Sequence, residues 1–463
     1  MNQRETPTRT ASGPWLAREI AATLALSGPI VLTNIAVNFM TTTDVMLLGW
    51  LSPSALAAGA LGYNLYMPLF LFCVGVIGAV APIAASLVGA DSGDAAGLRR
   101  ACHQALLSAF VLALPAWAIL WNAKAILLAI GEPPDLAAQA ELYMRGLQWA
   151  LAPALLYFAA RSVFAALGRT APTLIAGLLA VVFNAGANYA LIFGHFGAPA
   201  WGVFGSGVAT SLSQSVMLLV LVFYSLVDPH LRRYRLFFGL WRPDGQAFAR
   251  LWRLGLPIGA TIAAEISIFA AAGLAMGLIG PASLEAHAIV LQIASTAFMV
   301  PLGLGQAASV RVGHAFGARD ASAVARAGWV AFLVTMAYVA LSASTMLAAP
   351  RLLIAPFLTV DAPENAEIVT LALSFLRVAA IFQMFDGAQA ALANMLRGVH
   401  DSRWPMMMAL IGYWAIGAPV GLALAFATPL RGLGLWIGLA CGLAAVALQL
   451  LQRWRGKERR GFF

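Results

Sequence analysis

The chain has 463 residues, of which 61% are hydrophobic and only 10% charged, with a formal net charge of +9. A soluble domain carries about 25% charged residues, so this composition excludes a water-soluble globule and points to a bilayer as the solvent. The positive balance would suit nucleic acid, but the placement of the charges, taken up below, excludes that reading and no nucleic-acid partner is expected.

Taken in chain order, the first 20 residues (MNQRETPTRTASGPWLAREI) are polar and hold Arg4, Arg9 and Arg18. They contain no short apolar core followed by a cleavage site, so no signal peptide is expected. Apolar segments of spanning length, about 20 residues each, then follow twelve times: 23–50, 56–88, 101–121, 136–167, 172–193, 203–227, 254–279, 284–315, 325–349, 366–396, 405–427 and 432–452. The expected fold class is all-α and polytopic, with twelve transmembrane helices in two pseudo-symmetric six-helix bundles. Cys73, Cys102 and Cys441 sit in apolar segments at unrelated spacings, and the histidines show no ligand spacing. Neither a disulfide framework nor a metal centre of the His/Cys type is expected.

Basic residues alternate between loops. Arg4, Arg9 and Arg18 are followed by Arg99 and Arg100, Arg169, the cluster Arg232, Arg233, Arg235, Arg242, Arg250 and Arg253, then Arg311, Arg319 and Arg326, Arg397 and Arg403, and the tail RWRGKERR. The intervening loops hold only Lys124, Arg351 and Arg431. Under the positive-inside rule both termini are expected in the cytoplasm; with the resemblance given below, a bacterial inner membrane is the expected location.

The sequence repeats itself at an offset of 228: Pro29 meets Pro257, Gly49 meets Gly277, Pro53 meets Pro281, and Val88-Gly89-Ala90 meets Phe316-Gly317-Ala318. One residue further out of register, EPPD (132–135) meets DAPE (361–364). The simplest organisation is an N-terminal lobe 1–227, a basic linker 228–253 and a C-terminal lobe 254–463. Each half has an even number of spans, so the repeats run parallel about an axis along the membrane normal, with a cavity between them. That layout favours transport.

Three acidic residues fall inside spans: Asp44 in NFMTTTDVMLLGW, Glu265 in span seven and Asp386 in span ten. A helix-centre Asp costs about 2.5–3.5 kcal/mol on insertion scales, so each faces a cavity or a partner, or stays protonated as a packing hydrogen bond. In the repeat register they meet Ala272, Val37 and Tyr157, so none has an acidic twin. Their chemistry suits proton exchange, or a pair of carboxylates with neighbouring oxygens holding a hard cation such as Na+. Span five places Asn184 and Asn188 one turn apart on one face, and Thr210 lies in span six. The two amides either coordinate a cation beside Asp44 or bond helix to helix, and Thr210 either joins them or bonds its own helix backbone. Tyr157, Gln292, Gln306, Gln383 and Gln389 are candidate cavity lining, with helix bonding as the alternative. No GxxxxGK[ST] loop and no catalytic dyad occur on the spans, so no ATP hydrolysis, no catalytic residues and no enzyme activity are expected.

The segments DVMLLGWLSPSALAAGALG (44–62), LGLPIGATIAAEISIF (254–269), GLGQAASVRVGHAFGARD (303–320) and FQMFDGAQAALANMLRG (382–398) resemble, in this order, those of the multidrug and toxic compound extrusion (MATE) transporters. The resemblance runs over about residues 20 to 450 and is nearest the NorM-type branch. It implies cation binding by Glu265 and Asp386, a coupling role for Asp44, and an N-lobe polar cluster of Asn184, Asn188 and Thr210. It further implies bulky, amphipathic, usually cationic drug-like substrates, exported in exchange for Na+ or H+ without another cofactor or an ATPase subunit, by a chain expected to act as a monomer. A lipid-linked oligosaccharide flippase of related architecture is the alternative. Its anionic cargo would favour a cavity lined by Arg and Lys, rather than one with acids mid-membrane.

Overall fold

A computed structural model describes residues 13–90, 94–238 and 244–462. Arg4, Arg9 and Arg242 lie outside the described residues. Among those described, twelve helices are long and apolar enough to cross a membrane: Trp15–Leu51, Pro53–Ala90, Ala95–Trp121, Pro134–Ala166, Ala171–Phe193, Gly202–Val227, Gly245–Ile279, Pro281–Gly317, Ala321–Ala348, Pro363–Gly398, Arg403–Phe426 and Gly432–Arg459. We call these spans one to twelve. There is no strand among the described residues, and the protein is an all-α polytopic membrane protein.

Several spans outrun the apolar segments that announce them. Span seven begins at Gly245 rather than residue 254, so nine residues of the expected linker are helix. The bilayer sets the length of the apolar run, whereas the helix starts where a cap satisfies its first N–H groups. Here Asp244 Oδ1 accepts from the backbone N–H of Gln246 and Ala247, both at 3.1 Å. Asp94 caps span three through Gly97 N–H (2.7 Å), and Asp320 caps span nine through Ala323 N–H (2.9 Å). Pro53 and Pro281 open spans two and eight at equivalent register, where the missing N–H has no partner to lose. Short helices Ala123–Ala129 and Pro350–Ile354 likewise occupy the same place in each half.

Successive spans alternate in direction. The ends bearing Arg99, Arg100, Arg169, Arg319 and Arg403 therefore gather at one side, the basic end. Span eleven carries a π-helical stretch, Ile411–Gly417, between Arg403–Leu410 and Ala418–Phe426. Glycines let it lie against span twelve: a Cβ on Gly442 would stand 2.7 Å from the Gly412 carbonyl oxygen, and one on Gly417 would stand 3.1 Å from that of Gly438. The wide turn packs Tyr413 into the C-terminal core.

Among the described residues two large apolar cores result, with a small third cluster of Ala58, Leu127, Ala137 and Ala140. One is drawn wholly from residues 264–454. The other occupies the N-terminal half and is joined by Leu251, Leu254, Ile258, Ala307 and Val310. The halves thus meet through the basic-end portions of spans seven and eight. Small residues allow backbone to touch backbone there: a Cβ on Gly75 would stand 2.7 Å from Gly259 Cα. Among the described residues, the side-chain bonds that cross between the halves also lie toward the basic end. Arg311 bonds to the Glu19 carboxylate and to the Thr23 hydroxyl, and Trp252 Nε1–H donates to Ser108 Oγ at 3.0 Å. His314 Nε2 reaches the Ala166 carbonyl at 2.6 Å, and His400 Nε2 lies 3.3 Å from the Pro82 carbonyl.

Candidate functional site

Asp44 lies seven residues before the end of span one, about 10 Å of helix rise from it, in the half of the bundle away from the basic end. The residue is 6% exposed. Asn188 Nδ2–H donates to Oδ1 and the Thr210 hydroxyl donates to Oδ2, both at 2.7 Å. The partners come from spans five and six, so one carboxyl group ties three helices of the N-terminal half. Asn184 is fully buried one turn before Asn188 and adjoins the same carboxylate. Its carbonyl accepts a second bond from Asn188 Nδ2, at 2.9 Å. Asp44, Asn184, Asn188 and Thr210 are therefore brought together. A carboxylate offers about four acceptor positions, and these two donors occupy two of them.

In the C-terminal half, Glu265 lines a small pocket with Phe269, Phe382, Tyr413, Gly417 and Gly442, contributed by spans seven, ten, eleven and twelve. Asp386 of span ten is 6% exposed and close enough to Glu265 for their charges to act on one another. Its Oδ1 has no hydrogen-bond partner. Tyr413, on the π-helical turn, donates its hydroxyl to Gln389 Oε1 at 2.7 Å and lies within the field of both acids. Two carboxyl groups, one with an unpartnered oxygen, and a phenol form a donor set suited to a proton or a small hard cation.

The other candidates are placed differently. Tyr157 is buried within the N-terminal half, its hydroxyl donating to the Thr173 carbonyl at 3.2 Å, which is the helix-bonding alternative. Gln292 is exposed and lies 3.5 Å from Thr296 Oγ1 on its own helix. Gln383 is 1% exposed, one turn before Asp386, with neither side-chain polar atom bonded. Arg397, grouped above with the loop arginines, sits in the last turn of span ten and acts electrostatically on Glu265.

Two further polar residues inside the spans are not among those candidates. Tyr413 gives no sequence signal, because a π-helical turn has no pattern in a glycine-rich apolar run. Arg161 does give one: it interrupts LLYFAARSVFAAL as sharply as any of the acids interrupts its own span. Sorting basic residues by loop passes over it.

Residues 29–190 and 257–422 match the family model described as MatE, two blocks that mirror the internal repeat. The chain is 48% identical over 442 residues to the probable multidrug resistance protein NorM of Mesorhizobium japonicum, covering 96% of this chain and 95% of that one. It is 44% identical over 449 residues to the protein of the same name from Brucella suis, covering 97% and 95%. In fold it is similar to the crystal structure of a eukaryotic MATE transporter, with a TM-score of 0.85 at 22% identity, over 96% of this chain and 98% of that one.

Proposed function

Because the chain belongs to the MatE family of membrane transporters, and so is not an enzyme, we propose that it is a secondary active antiporter exporting amphipathic organic cations in exchange for Na+ or H+. The observation that carries this reading is the split placement of the acids. Asp44 is held in the N-terminal half by two neutral donors, and Glu265 and Asp386 lie within reach of each other's charge in the C-terminal half. A carboxylate with neutral partners keeps its charge available to a cationic ligand, whereas a salt-bridged one would not. The names of the relatives, probable multidrug resistance proteins, support a drug-like cargo.

Protonating Asp44 changes its bonding. The acid must then donate where it had only accepted. The Thr210 hydroxyl can reverse its role, while Asn188 Nδ2 can only donate. The Thr210 hydroxyl then turns to the Ser206 carbonyl, 3.2 Å away, while Asn188 keeps its bond to Oδ1, so a proton replaces the cargo cation by reversing one bond. Glu265 and Asp386 would hold the coupling ion. In this proposal the basic end faces the cytoplasm of a bacterial inner membrane, both termini are on that side, and the chain works as a monomer without cofactor or ATPase subunit. With the halves meeting at the basic end, the arrangement described above is the outward-facing one.

The test is transport of ethidium by purified protein in liposomes, with a Na+ gradient or a pH gradient imposed separately at matched membrane potential. Export driven by one of the gradients, and lost in Asp44→Asn, is the expected result. Transport by neither, from folded protein, would overturn the reading.

A further inference from the structure

Arg161 is 8% exposed, on span four, five residues before its basic end. Its Nη1–H donates to Asn34 Oδ1 of span one at 3.0 Å, and its Nη2–H donates to Gln306 Oε1 of span eight at 2.8 Å. The first partner belongs to its own half and the second to the other half. The Phe158 ring lies 5.3 Å from the guanidinium carbon, and Tyr157 is within bonding reach one turn back. None of the ion pairs among the described residues includes Arg161.

A guanidinium keeps its charge at any relevant pH, and placing it in a membrane interior is expensive. Nothing in the duplicated architecture requires it. At the offset of 228 Asn34 meets Ile262 and Gln306 meets Gly78, and at the offset of 229 Arg161 meets Ala390. The opposite half packs its equivalent positions without any such group. Both acceptors are neutral amides. A carboxylate acceptor would make a tighter pair whose separation strands a second buried charge. An amide oxygen released from Arg161 is readily hydrated when the seam between the halves opens to water. The contact is thus strong enough to hold one arrangement and weak enough to be broken once per cycle.

We propose that Arg161 is a positioning residue of the transport cycle: its bond to Gln306 clasps the two halves together at the basic end, and its release lets the seam open there. This rests on the antiport reading for its place in a cycle. The clasp itself is a statement about two arrangements of the protein and can be tested without transport.

The experiment places spin labels at Arg100 and Ala321, exposed residues at the basic ends of spans three and nine, in a background with Cys441 replaced, and measures the inter-label distance distribution in lipid. The unmodified seam should give mainly the short distance. Arg161→Gln should raise the population with the halves apart by about tenfold, the equivalent of one charge-assisted hydrogen bond. Arg161→Lys, which keeps the charge but loses the planar fork that serves both acceptors, should restore part of the short population. Gln306→Leu leaves the arginine in place and should shift the distribution in the same direction. It also decides the matter should Arg161→Gln fail to fold. In liposomes, Arg161→Gln should change turnover and Arg161→Lys should recover part of that change, a rescue that a general packing defect would not show. Unchanged distributions in both folded variants would overturn the clasp. If the distributions shift while the unsubstituted protein transports no cation under either gradient, the clasp stands and the antiport reading falls.

Discussion

Gly89 and Gly317 occupy equivalent positions in the two halves, and each lies against the backbone of the residue three before the other. A Cβ on Gly89 would stand 2.7 Å from the His314 carbonyl carbon, and a Cβ on Gly317 would stand 2.7 Å from that of Ser86. Ser86 and His314 are themselves 228 residues apart, so the contact is a twofold one made by a single chain. The closest approach of the halves at the basic end depends on two hydrogens in place of side chains. Overpacking of this kind costs about 1–3 kcal/mol, and here the cost falls on one arrangement of the halves only. Gly89→Val and Gly317→Val should each raise the population with the basic end parted, by similar amounts, as read from the Arg100 and Ala321 label pair. A large difference between the two would argue against their equivalence.

The Asp44 cluster predicts an ordering among its partners. Asp44→Asn removes the charge and should lower transport by tenfold or more, on the order of one charge-assisted hydrogen bond to the cargo. Thr210→Ser keeps a hydroxyl that can donate or accept and should transport nearly normally. Thr210→Val cannot reverse its bond when Asp44 is protonated, and should displace the pH profile of transport rather than merely lower its maximum. Asn188→Ala leaves Oδ1 buried without its donor, and should also lower the melting temperature, by the equivalent of about 1–3 kcal/mol.

Glu265 and Asp386 should behave as a unit. If they hold the coupling ion, adding it should raise the melting temperature of the unmodified protein, with about 2.7 kcal/mol expected at a hundredfold excess over Kd. Glu265→Gln and Asp386→Asn should each abolish that rise, and the double variant should lose no more than either single one, since groups acting on one ligand are not additive. A Na+-dependent rise that survives in both single variants would remove these residues from the cation site.

His400 lies between spans ten and eleven, its ring 3.4 Å from Ser86 Oγ and 3.3 Å from the Pro82 carbonyl. Burial pushes its pKa below the ordinary histidine value and the Arg250 charge adds to this, while the bond to Pro82 opposes it. The folded protein therefore favours the neutral ring. At a pH above the ordinary histidine range both folded and unfolded chains carry it neutral, and stability is unaffected. As pH falls below that range the unfolded chain takes the proton first, so the native state loses stability toward its own lower pKa. Melting measured at pH 7.5 and 5.5 should show less acid loss in His400→Gln than in the unmodified protein. An equal loss in both would show that this ring contributes nothing to the acid response.

Much of the architecture is written locally. The twelve apolar runs, the proline and glycine register at an offset of 228, and the alternation of arginines between loops follow from bilayer thickness and from gene-level duplication. They need no knowledge of which helix packs on which. The same holds for Asp44, Glu265 and Asp386, each conspicuous because a carboxyl group is expensive in hydrocarbon wherever its helix sits. Asn184 and Asn188 could be placed on one face from spacing alone.

What the sequence left open is everything that depends on the approach of distant segments. Spacing placed Asn188 near some partner, but only the packing of spans one, five and six aims its amide and the Thr210 hydroxyl at opposite oxygens of Asp44. Gln292, Gln383 and Tyr157 were equivalent as polar residues in apolar runs, and tertiary packing separated them into an exposed side chain, a buried unpaired amide and a helix-to-helix bond. Arg161 acquires a meaning only when Asn34 and Gln306 arrive from 127 and 145 residues away. A charge in an apolar run declares a cost that its own segment fixes, whereas the groups that offset it are chosen by the fold.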